Sequence, residues 1–70
     1  MAKTITDTEI KRVIRRKLFA THGGLDRDVL IEAVRDHYEG RIGRVRTNEC
    51  AQELIDAGEL DTFGERINIP

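Results

Sequence analysis

Apolar residues recur at helical spacing three times along the chain, then switch to alternation. Ile10, Val13, Ile14 and Leu18 form one stripe of a helix that the spacing predicts from about Asp7 to Ala20. Thr6 or Asp7 suits its N-cap, and Asp7 and Glu9 suit the positive end of its dipole. Phe19 falls nearly opposite the stripe, so either the helix bends there or Phe19 covers a second contact. His22-Gly23-Gly24 ends the helix, because glycine readily takes the left-handed conformation of helix C-termini. His22 is placed to bond the last carbonyls.

Asp26 reads as the N-cap of a second helix from about Arg27 to Tyr38, with Leu25 and Leu30 spaced as a hydrophobic staple. Val29, Leu30, Ala33, Val34 and His37 make a broad apolar face, widened by Ile31 and Tyr38. So wide a face implies a central helix with more than one neighbour, and it predicts a packed His37. Glu39-Gly40-Arg41-Ile42-Gly43-Arg44 reads as a turn. Thr47 is the expected N-cap of a third helix with Ala51, Leu54 and Ile55 inward, Cys50 beside them as a small core residue, and Ala57-Gly58 at its end. Leu60 and Thr62, then Ile67 and Ile69, alternate as strands do. Asp61-Thr62-Phe63-Gly64-Glu65 lies between them, and Pro70 cannot donate to a ladder. The expectation is one domain over residues 1–70, mainly α with a small β-hairpin, its residues 1–6 flexible.

Composition adds little to this and charge order adds more. The chain has 70 residues, 36% of them charged, and a net charge of −1. Lys11, Arg12, Arg15, Arg16 and Lys17 lie in a window, 10–22, with no acid. Arg41, Arg44 and Arg46 lie in another, 40–48. From Glu49 to Glu65 there are six acids and no base: Glu49, Glu53, Asp56, Glu59, Asp61 and Glu65. A neutral total therefore hides basic and acidic segments. No run approaches the roughly 20 apolar residues of a membrane span. The start lacks a signal peptide's apolar stretch, and the single cysteine forms no internal disulfide. These point to a cytoplasmic protein.

The stretch Ala51-Gln52-Glu53-Leu54-Ile55-Asp56-Ala57-Gly58-Glu59-Leu60 resembles the third helix, glycine and first wing strand of the winged helix-turn-helix superfamily. Gly24-Leu25-Asp26 resembles its short first strand. The likeness covers roughly residues 7–69 and implies a winged-helix-like three-helix domain with a C-terminal wing. It departs from the pattern in the link from Glu39 to Arg46, which is longer than the usual tight turn. The resemblance also implies that the third helix enters the major groove by its first residues while the wing touches the backbone. Carried onto this chain, the base readers are Arg44, Arg46, Thr47, Asn48 and Gln52. Arg suits guanine, and Asn or Gln suits adenine. Arg12, Arg15, Arg16, Arg41 and Arg66 are then further nucleic-acid contacts.

Against this stands the acidic stripe Glu49, Glu53 and Asp56, which would carry carboxylates towards phosphates. The alternative is a protein-interaction module using Glu49, Glu53, Asp56 and Phe63 against a basic partner or a second copy. Phe63 at the wing tip either inserts into a partner or folds back on the core. The basic face of the first helix is either solvated or phosphate-bound. The 40–48 arginines, in an expected loop, either bind a partner or pair with Glu39, Glu49 or the wing. His22, His37 and Cys50 lack zinc spacing, the glycines match no nucleotide loop, and the chain has no serine. The expectation is a small regulatory DNA-binding protein, with RNA as a further target, and no enzymatic activity, metal, cofactor, membrane or small-molecule substrate.

Overall fold

The computed structural model describes residues 4–70. Helix α1 spans Asp7–Phe19, strand β1 Leu25–Asp26, helix α2 Arg27–His37 and helix α3 Arg44–Asp56. Strands β2, Asp61–Phe63, and β3, Arg66–Asn68, follow. The result is a mainly helical unit with a small antiparallel sheet in the order β1-β3-β2. The short strand implied by the likeness is present: Leu25 pairs with Ile67 and Asp26 with Arg66.

α1 begins as its sequence dictates, with the Glu9 amide donating to Thr6 Oγ1 at 3.2 Å. Its stripe of Ile10, Val13, Ile14 and Leu18 is buried. These side chains meet Leu30 and Val34 of α2 and Cys50, Ala51 and Leu54 of α3 in one core. Ile42 in the α2–α3 connection and Leu60 and Ile67 around the hairpin complete it. Full burial of a residue such as Ile10 or Leu30 contributes about 1.5–3 kcal/mol.

Two glycines are demanded by geometry. Gly24 has φ +80°, and a Cβ there would lie 2.3 Å from the carbonyl oxygen of Ile67. Only glycine lets β1 approach β3 so closely. Gly64, at φ +62°, leads the tight turn between β2 and β3. The turn occupies Gly64-Glu65, so Asp61–Phe63 belongs to a strand rather than to the loop. Glu65 O accepts from the Arg27 amide at 2.8 Å, which ties the turn to the start of α2.

Thr6 caps α1 and Ile5 packs against the core; of the segment 1–6 expected to be flexible, residues 1–3 lie outside the described part. Three expectations are corrected. α3 starts a turn earlier than Thr47, with Gly43 as its N-cap. Thr47 is fully buried, and its hydroxyl donates to Gly43 O at 2.8 Å, one turn back. His37 is exposed, edge-on to Tyr38 with ring centroids 4.9 Å apart, so Val34 and not His37 closes that face. Among the described residues no helix is long and apolar enough to cross a membrane.

Candidate functional site

The outward side of α3 carries a row of polar side chains. Arg44, Asn48 and Gln52 recur every fourth residue and so share one line along the helix. Arg27, the first residue of α2, reaches across to this line. Its Nη1 donates to Asn48 Oδ1 at 2.8 Å and its Nη2 to Gln52 Oε1 at 3.2 Å. Gln52 Nε2 in turn donates to Asp56 Oδ1 at 3.0 Å. Both amide carbonyls are thus engaged, and the free donor group of Asn48 is its NH2.

A groove between the two helices is lined by Arg27, Asp28, Ile31, Arg44, Val45 and Asn48. A separate hollow shares Arg27 and Asp28 and is lined further by Asp26, Val29, Gly64 and Glu65 at the hairpin turn. Val45 is 72% exposed and Val29 53% exposed, so this face carries uncovered aliphatic surface as well as charge. The sequence pattern places Val29 on the apolar face of α2, and its exposure corrects that: the residue lies at the edge of the face, beside the hairpin turn. An N-cap expected at Thr47 puts Val45 in the preceding turn, and Arg27 reads in sequence only as the first residue of α2.

The 40–48 arginines do not gather. Arg44 Nε donates to Glu32 Oε1 of α2 at 2.7 Å, and this bond holds the Glu32 carboxyl below the usual range. Arg46 Nε donates to Asp7 Oδ1 at 3.0 Å, at the start of α1, and its Nη2 donates to Ile5 O. Arg41 lies near Ile5, His37, Tyr38 and Glu39. The expected partners Glu39, Glu49 and the wing are thus replaced by Glu32 and Asp7, because Arg44 and Arg46 leave α3 in different directions. Thr47 is withdrawn as a base reader, since a side chain at 0% exposure cannot touch a base edge.

The acidic stripe also has internal partners. Lys11 Nζ donates to Glu53 Oε1 at 2.9 Å, a bond that raises the Lys11 ammonium above its ordinary value. Arg15 Nη1 donates to Glu59 Oε1 at 3.3 Å. Arg66 is 3.7 Å from Asp26 and donates to Gly23 O at 3.2 Å. Glu49 and Asp56 form no ion pair among the described residues. All these pairs lie at the surface, where solvent screens them, so each contributes little to stability.

No protein-family model, curated protein or solved structure matches this chain.

On α1, Arg12, Arg15 and Arg16 line a separate groove with Phe19, Ala20 and Ile69. Arg12 and Arg16 make no ion pair among the described residues. Phe19 is 83% exposed, so α1 does not bend to bury it. Phe63, 72% exposed, does not fold back on the core either. Cys50 is buried between α1 and α3, and that burial pushes its thiol pKa up, away from the reactive thiolate.

Proposed function

We propose that this chain is a winged-helix DNA-binding domain without catalytic activity, whose contact centres on the first two turns of α3. The element order and the β1-β3-β2 sheet support the winged-helix likeness. The observation that carries the functional reading is the row of exposed Arg44, half-buried Asn48 and exposed Gln52, braced by Arg27. A side chain held in place before binding loses less freedom when a base arrives. Arg27 engages one lone pair of the Asn48 carbonyl, and the Asn48 NH2 can donate to a base acceptor such as N7 or O6 of guanine or N7 of adenine.

The cations available at this face are few: Arg27, Arg44 and, after exchange of their internal partners, their neighbours. Asp28, Glu49 and Asp56 oppose phosphates nearby. Binding is therefore expected to be weak and of modest salt dependence, with a slope of log K against log salt of about −2 to −4. Fluorescence anisotropy with a labelled duplex, from low to physiological salt, tests this. Arg44→Ala and Arg27→Ala should each weaken binding. No salt-sensitive duplex or single-strand binding at low ionic strength would end the proposal.

One observation favours a protein partner instead. Val29 of α2 and Val45 of α3 stand exposed, and Glu49 and Asp56 of α3 form no ion pair among the described residues. A basic partner with an apolar centre fits these groups. Glu49→Lys is the informative change here. Glu53→Lys would break the internal bond to Lys11 and confuse a lost partner with a loosened fold.

A further inference from the structure

The sequence holds two phenylalanines, and this small fold leaves both outside. Their settings are opposite in charge. Phe19 rises from the α1 groove beside Arg12, Arg15 and Arg16, with Ile69 as an apolar floor. Phe63 stands at the hairpin tip between Asp61 and Glu65. Its cross-strand neighbour Arg66 is already held by Asp26 and Gly23 O. Exposed aromatic rings inside charged rims are the usual anchors of protein interfaces.

We propose that the α1 groove receives the hairpin tip of a second copy of this chain, with Phe63 packed on Phe19 and Ile69 and with Asp61 and Glu65 against Arg12 and Arg16. The chain supplies both halves of the match. The groove already accepts one carboxylate, since Arg15 binds Glu59 of its own chain. That bond leaves Arg12 and Arg16 for an incoming pair of acids. A molecule's own tip cannot fill its own groove. Thr62 pairs with the buried Ile67, so alternation turns Asp61 and Phe63 to the outer face of the sheet, away from the core. A phosphate backbone would satisfy the arginines but would leave Phe19 and Ile69 uncovered. The match thus favours an apolar, acidic protein segment over nucleic acid, and it does not depend on the DNA reading.

Sedimentation velocity over a concentration series, in low salt and without nucleic acid, reads the association directly. The native chain should self-associate, and added salt should weaken it. Phe19→Ala and Phe63→Ala should each weaken it roughly tenfold or more. Both side chains are exposed, so each variant should keep its helical circular dichroism. The decisive arm is a charge exchange. Arg12→Glu with Arg16→Glu in one chain, and Asp61→Lys with Glu65→Lys in another, should each abolish association. Mixing the two variants should restore it. Either of two results overturns the proposal: a strictly monomeric native chain at about millimolar concentration, or an association untouched by both alanine variants. So does loss of duplex binding in Phe19→Ala without any self-association, which would assign the groove to nucleic acid.

Discussion

At Gly24 a single hydrogen stands where any side chain would strike a backbone carbonyl. Gly24→Ala must both hold a left-handed φ, at about 1–2 kcal/mol, and push the Ile67 carbonyl away. The expected loss is at least about 2 kcal/mol, or a fall in Tm of about 8–16 °C. Gly58 is the control. It too has φ +80°, but a Cβ there meets nothing within 4 Å, so Gly58→Ala should cost only about 1 kcal/mol. Equal melting temperatures for the two variants would remove the close-approach argument. Cys50 gives a second residue-scale expectation. Its folded pKa lies above that of the unfolded thiol, so the unfolded chain releases its proton first as pH rises. Stability contributed by the buried thiol is complete below the unfolded value of about 8.5 and declines above it. Tyr38, raised by burial as well, extends the decline at higher pH. Urea unfolding at pH 7 and pH 10 should show the lower stability at pH 10, and Thr47, buried without charge, should add nothing to it. The Cys50 environment was legible from its place beside an apolar stripe. The Thr47 environment was not, because a threonine that caps a helix and a threonine that bonds its own preceding turn look alike in sequence.

The helices themselves were legible to different degrees. α1 carries a capping threonine, early acids and four stripe residues, and all agree with its bounds. α3 has no acid in its first turn and no side-chain cap, so its true start at Arg44 left no mark. That weakness is correctable. Gly43 has an ordinary φ of −81° and open space around a would-be Cβ. Gly43→Ser should supply a capping oxygen and restrict the unfolded chain, raising stability by about 0.5–1 kcal/mol. A chemical denaturation midpoint that falls instead would show that the α3 entry needs glycine. The same element carries a functional test. Glu32 holds Arg44 across the α2–α3 groove, so Glu32→Gln should release the guanidinium and tighten duplex binding several-fold. Unchanged affinity would show that Arg44 meets no phosphate. If Arg27 alone carries the contact, only Arg27→Ala will weaken binding.

Across the whole molecule, the segregated charge of the sequence becomes interleaved. The basic window of α1 lies against the acidic window of α3 and its exit, through Lys11–Glu53 and Arg15–Glu59. Composition windows show that both charges exist, yet they cannot show which surfaces meet, because that depends on how the core orients α1 on α3. The core sets Glu53 of the acidic stripe against Lys11, which leaves Glu49 and Asp56 as its only members without an ion pair among the described residues. Since each pair is exposed, their joint effect on stability should be small. Raising salt from about 0.01 to 1 M should leave the thermal midpoint nearly constant while abolishing any binding to a polyanion.

The pairing of Leu25 with Ile67 also has a consequence in time. The core brings α1 onto the distant α3 and the hairpin, whereas β2 and β3 meet across a tight turn. β1 can join only after residues 25 and 67 come together, closing a long loop whose entropy cost precedes any reward. β1 docking is therefore expected to follow the rate-limiting barrier. The Gly24→Ala penalty should then fall on the unfolding arm of a chevron plot, speeding unfolding roughly thirtyfold for a loss of about 2 kcal/mol and leaving refolding nearly unchanged. Slowed refolding would instead make this two-residue strand part of the nucleus.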